Sequence, residues 1–164
     1  MNKLRWLSID GYPSDGYLMK EIFIAAPYLS MFIVKMKFLL QLIDLEDDRS
    51  CISLLKTRIR YLSIEFADEA DMNTKNIEKI SKIFSNIRHV ILESKLENSS
   101  IENLLLLFLN HFKTHPLMSI IVRGLTTDEL RLNPTQWLID RTYFKQLNNQ
   151  FKAECDKIEF KIWL

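Results

Sequence analysis

His111 and His115 stand four residues apart, the spacing that can aim two imidazoles at one metal ion from a single helix face. No third ligand stands near them in the sequence, and Pro116 ends any helix there. The pair therefore reads as solvent-facing rather than metal-binding. Cys51 and Cys155 are far apart and form no CxxC, so they read as reduced, buried thiols of a cytoplasmic protein. Two acidic runs, Asp44, Glu46, Asp47, Asp48 and Asp68, Glu69, Asp71, lack the glycine turn and late bidentate Glu of a calcium loop. They read as solvated rims. The three glycines, Gly11, Gly16 and Gly124, are too dispersed to cradle a phosphate, and no nucleophile or zinc-protease motif appears. The expectation is a protein that is not an enzyme and needs no cofactor or metal.

Charge narrows the partners. Lys and Arg number 22 against 21 Asp and Glu, and each half of the chain is as balanced as the whole. No overall field draws nucleic acid or an anionic membrane. Arg5, Arg60 and Arg88 recur at related positions and could form a basic seam, but no aromatics interleave with them. The most apolar stretch, Ile22–Ile43, contains Pro27, Lys35, Lys37 and Gln41. A lysine near a bilayer centre costs about 2.5–3.5 kcal/mol, so the stretch reads as a buried helix end followed by a buried strand. The first residues carry no signal peptide, since Asp10 interrupts a short apolar segment.

Those charges and rims need elements to position them, and a repeat supplies these. Leu4-Leu7-Ile9, Leu29-Phe32-Val34, Ile59-Leu62-Ile64, Ile87-Val90-Leu92 and Leu117-Ile120-Val122 share one pattern, apolar-x-x-apolar-x-apolar. Their first residues are 25, 30, 28 and 30 positions apart. The last two apolar residues of each are two apart and face one side of a strand. Parallel neighbours need a crossover, usually a helix. Helical stripes fill the gaps: Leu18, Ile22 and Phe23 behind Ser14 or Asp15; Ile52 and Leu55 behind an acidic run; Ile77, Ile80, Ile83 and Phe84; and Ile101, Leu104, Leu105, Phe108 and Phe112, opened by a capping box at Ser99 and Glu102.

The unit is strand, loop, helix, loop, about 28 residues long, within the range of leucine-rich repeats. The expected fold is therefore α/β, a leucine-rich-repeat solenoid. It would be an open horseshoe arc with parallel strands on the concave side and helices on the convex side. Residues 1–125 hold the repeats, and 126–164 form a terminal repeat and capping segment of the same domain. In that segment Thr126–Glu129 and Asn133-Pro134 start short helices, and alternation about Asp156-Lys157 makes a C-terminal β-hairpin cap. No cap precedes the first strand, so either its edge is exposed or chain upstream of Met1 is missing.

From Arg58 to Leu164 the chain resembles the C-terminal part of F-box-like leucine-rich-repeat proteins. The resemblance is carried by IRYLSIEFAD (59–68), NIEKISKIFSNIRHVIL (76–92), LNHFKTHP (109–116), VRGLTTDELRLNPTQWLID (122–140) and AECDKIEFKIWL (153–164). It implies that the repeats hold a substrate for a cullin–RING ubiquitin ligase, recruited through an N-terminal F-box. No F-box-like segment stands within residues 1–50, so binding of the ligase adaptor is expected only if an F-box lies upstream.

In such a stack the residues between the inward-facing ones form ladders across the concave side. The first is Trp6, Met31, Tyr61, His89, Ser119; the second Ser8, Ile33, Ser63, Ile91, Ile121; the third Asp10, Lys35, Glu65, Glu93, Arg123. The second is apolar for a solvated surface, and the first offers Trp6 and Tyr61, types enriched at binding hot spots. The expected protein-binding residues are Trp6, Met31, Ile33, Lys35, Tyr61, Glu65, His89, Ile91, Glu93, Ile121 and Arg123. The competing reading is that the C-terminal segment folds over this face and buries it. The expected function is a protein–protein interaction scaffold, either the substrate-binding part of a ligase receptor or a stand-alone repeat protein that binds or inhibits a partner; an enzyme with an unrecognised site is the remaining alternative.

Overall fold

Each of the five repeated segments becomes a strand in the computed structural model, which describes residues 3–10, 16–44, 49–96, 100–147 and 150–164. The strands are β1 (Trp6–Ile9), β2 (Met31–Lys35), β3 (Tyr61–Phe66), β4 (His89–Ser94) and β5 (Ser119–Arg123), followed by β6 (Lys152–Cys155) and β7 (Glu159–Trp163). They form one seven-stranded mixed sheet in the order β1-β2-β3-β4-β5-β7-β6. The first five pair parallel in chain order, and β7 joins β5 antiparallel. The helices are α1 (Gly16–Ala25), α2 (Met36–Asp44), α3 (Arg49–Arg58), α4 (Thr74–Ile83), α5 (Glu102–Phe112), α6 (Asp128–Leu132) and α7 (Pro134–Arg141).

Register turns the apolar pattern into a core. Leu7, Phe32, Leu62, Val90, Ile120 and Ile162 stand opposite one another across six strands. Ile9, Val34, Ile64, Leu92, Val122 and Phe160 make a second row. From β2 to β7 every member is buried, together with Phe23, Leu55, Ile80 and Phe108 of the helices. The helices thus cover one face of the sheet. On β1, a strand with one neighbour, Leu7 and Ile9 are only half-buried. Leu4, expected to pin that strand as its counterparts do, is 41% exposed, whereas Leu29 and Ile59 are each 1% exposed.

One backbone device repeats with the sequence. The Arg5 carbonyl accepts from the N–H groups of both Ser30 and Met31. Ser30 does the same for Arg60 and Tyr61, Arg60 for Arg88 and His89, and Arg88 for Met118 and Ser119. The arginines that recur along the chain thus mark the corners where β1, β3 and β4 begin, Ser30 takes the same place before β2, and these carbonyls set the register of the next strand. Side chains finish the corners. Arg58 Nη1 donates to the Phe23 carbonyl at 2.7 Å, tying α3 to the end of α1, and Asn86 Nδ2 donates to the Lys56 carbonyl at 3.2 Å.

Several expectations need correcting. The apolar stretch Ile22–Ile43 holds a second helix beyond its strand, because α2 starts directly at Met36 with no turn residue to announce it. Its Met36, Phe38, Leu39, Leu42 and Ile43 are buried while Lys37 and Gln41 face outward, which is the helical period. No described helix is long and apolar enough to cross a membrane. Ser14, Asp15 and Ser99 lie outside the described residues, as do Glu46, Asp47 and Asp48. Glu102 is the first residue of α5 and not the third of a capping box; its carboxylate instead accepts from the N–H and hydroxyl of Thr127. Asp68 caps a single 3-10 turn at Glu69–Asp71, so that acidic rim is ordered by its own side chain. Other starts are as expected: Thr127 caps α6 and Asn133 caps α7, with Pro134 in the first turn.

The C-terminal hairpin forms about Asp156, whose Oδ1 accepts from the N–H groups of Ile158 and Glu159 at 2.9 and 2.8 Å. It extends the sheet sideways rather than folding over the face away from the helices, so the burial reading of that face is overturned. The turn out of β5 depends on Gly124, at φ +143°, where an added Cβ would lie 2.6 Å from Ile101 Cγ2. Gly124→Ala is expected to destabilise the protein by roughly 1–3 kcal/mol in urea unfolding. An unchanged midpoint would show that this turn is free to relax.

Candidate functional site

Away from the helices, every second strand residue is left half-exposed, and the three anticipated ladders meet there. Met31, Tyr61, His89 and Ser119 stand in register, as do Ile33, Ser63, Ile91 and Ile121, and Lys35, Glu65, Glu93 and Arg123. Trp6 pairs with Met31 at one end of the first ladder and is 58% exposed. All eleven expected residues are therefore on one face. No described element lies across it.

Local contacts fix parts of this face. The Tyr61 and His89 rings stack with centroids 5.3 Å apart at 27°. His89 Nδ1 is 2.9 Å from Ser119 Oγ, so Tyr61, His89 and Ser119 form one braced line over three strands. In the third ladder charges pair along the strand ends. Lys35 Nζ lies 3.7 Å from Asp10 Oδ1, Glu93 pairs with Lys95, and Arg123 Nε donates to Glu159 Oε2 at 3.0 Å. The Lys95 hydrogen bond to Glu93 holds its ammonium pKa above the ordinary lysine value.

The sequence reading missed the contribution of β7. Trp163 stands opposite Ser119, Lys161 opposite Ile121 and Glu159 opposite Arg123, extending all three ladders. Trp163 is 39% exposed, so a tryptophan stands near each end of the first ladder. Alternation in the hairpin carried the signal, but its pairing with β5 was not legible: a hairpin's sequence fixes its own register and not its neighbour.

Two open clefts flank the third ladder at the carboxyl ends of the strands. One, of about 300 Å³, lies among Asp10, Lys35, Lys37, Phe38, Glu65 and Asp71. Burial is the main cause raising the Asp71 pKa above its ordinary value; Asp68 adds to it and Lys37 opposes it. The other, also about 300 Å³, lies among Glu93, Lys95, Arg123, Gly124, Asp156 and Glu159.

The residues weighed for chemistry are dispersed. His115 is not solvent-facing: its ring packs on Phe112 at 4.5 Å and Nε2 donates to the Ser81 carbonyl at 2.9 Å, while Nδ1 is buried without a partner. His111 is also half-buried and bonds the Leu107 carbonyl through Nδ1 at 2.9 Å, so the two imidazoles do not converge. Among the described residues no cluster of three His, Cys, Asp or Glu side chains could hold a metal ion. Cys51 is buried as expected, whereas Cys155 is half-buried, and neither is in a disulfide. Burial raises the Cys155 pKa, which favours the unreactive thiol.

Glu159 joins the face to the hairpin. Hydrogen bonds from Lys161 first and Arg123 second hold its carboxyl below the ordinary glutamate value. A depressed carboxylate adds stability above its unfolded pKa and loses it as pH falls through the folded one. Glu159→Gln is expected to lose less stability than the parent between roughly pH 5 and 3 in urea unfolding. Parallel losses in both proteins would show that the two cations do not act on this carboxylate. Compared with protein-family models, curated proteins and solved structures, the chain finds no match.

Proposed function

We propose that this chain is a leucine-rich-repeat-type solenoid whose strand-lined face binds a protein partner. The single observation that carries the reading is the ladder face that no described element covers, where Met31 stands beside Tyr61, Ile91 beside Ile121 and Ile33 in the same row as Ile91, all half-exposed. An apolar strip edged by charges is the anatomy of a binding surface, and a Tyr already braced on His89 loses little freedom when bound. Sequential parallel pairing supports the solenoid. Each repeat adds one strand beside the last, with no reversal among the five parallel strands and so no crevice of the kind that holds nucleotides in doubly wound sheets. The two clefts at the strand ends are open and lined by carboxylates and ammonium groups of both signs, a rim for the strip rather than an enclosed reaction site.

A substrate-receptor role in a ubiquitin ligase would use the same face with an F-box added. Co-purification of the F-box-binding adaptor with the native gene product separates that role from a stand-alone repeat protein in the cytoplasm.

The test of the face is Tyr61→Ala combined with Ile91→Ser. Proteins captured by the parent chain and identified by mass spectrometry should be lost from the double variant. Its Tm should stay within about 3 °C of the parent, because neither side chain is core. Undiminished capture, or a collapse of Tm, contradicts the reading.

A further inference from the structure

Among the described residues, one carboxylate of the third ladder has no bonded cation. Glu93 pairs with Lys95, and Glu159 with Arg123 and Lys161, but among the described residues Glu65 makes no hydrogen bond and no ion pair. Lys35, its register neighbour on β2, turns to Asp10 instead. Lys95 feels Glu65 only as a minor influence beside its bond to Glu93. Glu65 is nevertheless half-buried, in the middle of the sheet and not at its margin.

What surrounds Glu65 is equally particular. Two positions earlier on the same strand and face stands Ser63, a small residue between Ile33 on β2 and Ile91 on β4. Neighbouring strands are about 4.8 Å apart, so a serine between two isoleucines leaves a step about one side chain wide. Tyr61 stands at its other end, two positions before Ser63 on the same face, held by its stack on His89. The step therefore has apolar walls, an aromatic ring at one end and an unpaired carboxylate at the other.

We infer that this step receives an arginine or lysine side chain of the protein partner, with its methylenes between Ile33 and Ile91 and its charge on Glu65. The inference rests on the proposed binding face and adds the chemistry of the partner. Charge complementarity selects the occupant. An anionic group would meet Glu65 and Glu93 side by side, and a purely apolar one would bury the Glu65 carboxylate with no cation bonded to it, since Lys35 is turned to Asp10 and Lys95 is bonded to Glu93, which is unfavourable. A long cation satisfies both the walls and the carboxylate, since such side chains bury their stems while keeping the charged head on a polar partner. Residues flanking it in the partner would be apolar, to match Met31 and Ile121.

The experiment is selection of a displayed random dodecamer peptide library on the full-length protein. Enriched peptides are expected to carry an Arg or Lys beside apolar residues, and replacing that residue by citrulline or norleucine should weaken binding at least tenfold. Glu65→Gln should erase the preference for the cation, and Ser63→Leu, which fills the step, should weaken the same peptides at least tenfold while leaving Tm near the parent value. Peptides that bind through the face, as judged by their loss in the Tyr61→Ala and Ile91→Ser variant, yet carry no cation or ignore Glu65→Gln, overturn this inference and leave the proposed function standing. Peptides indifferent to the double variant, or no enrichment at all, overturn both.

Discussion

Parallel in-register pairing is the constraint on which everything else in this protein depends. Because successive residues of a strand point to opposite faces, aligning the repeats without slippage sends Leu62, Val90 and Ile120 to one side and Ser63, Ile91 and Ile121 to the other. A slip of one residue would exchange the two sets. The carbonyls of Arg5, Ser30, Arg60 and Arg88, each taking two N–H groups from the next strand, hold that alignment at every corner. Core and open ladder face are thus two consequences of the same hydrogen bonds.

Helices decide which side becomes core. Phe23, Leu55, Ile80 and Phe108 come from four crossovers and meet the buried strand residues in one continuous cluster. The other side keeps its residues half-exposed, because the terminal hairpin pairs with β5 instead of crossing the sheet. It covers what would have been an open edge beyond β5, and it brings Glu159, Lys161 and Trp163 to the face. The outer strand, β6, carries Lys152 and Glu154 outward, charges that discourage pairing with a further strand.

Much of this was legible in the sequence, for a physical reason. A repeat of about 28 residues states the same strand five times, so errors at one copy are corrected by the others, and the ladders follow from counting. Features that occur once were harder to read. The helix α2 was hidden because Met36 continues an apolar run with neither cap nor glycine at the boundary. Glu102 presented the spacing of a capping box, but its carboxylate is engaged by Thr127, a partner 25 residues away. His111 and His115 share a helical spacing that the structure does not use, since α5 ends at Phe112 and His115 turns toward α4. The unpaired state of Glu65 is likewise invisible to pattern, because the choice of Lys35 for Asp10 is made in three dimensions.

Adjacent residues of one strand serve opposite purposes, and Ile120 and Ile121 in β5 test this most directly. Ile120 is fully buried between Val90 and Ile162, whereas Ile121 lies half-exposed between Ile91 and Lys161. Urea unfolding of Ile120→Ala should show a loss of about 2–5 kcal/mol, and Ile121→Ala a loss below about 1 kcal/mol. Equal losses at the two positions, or the larger loss at Ile121, would contradict the division of the sheet into a helix-covered core and an open face.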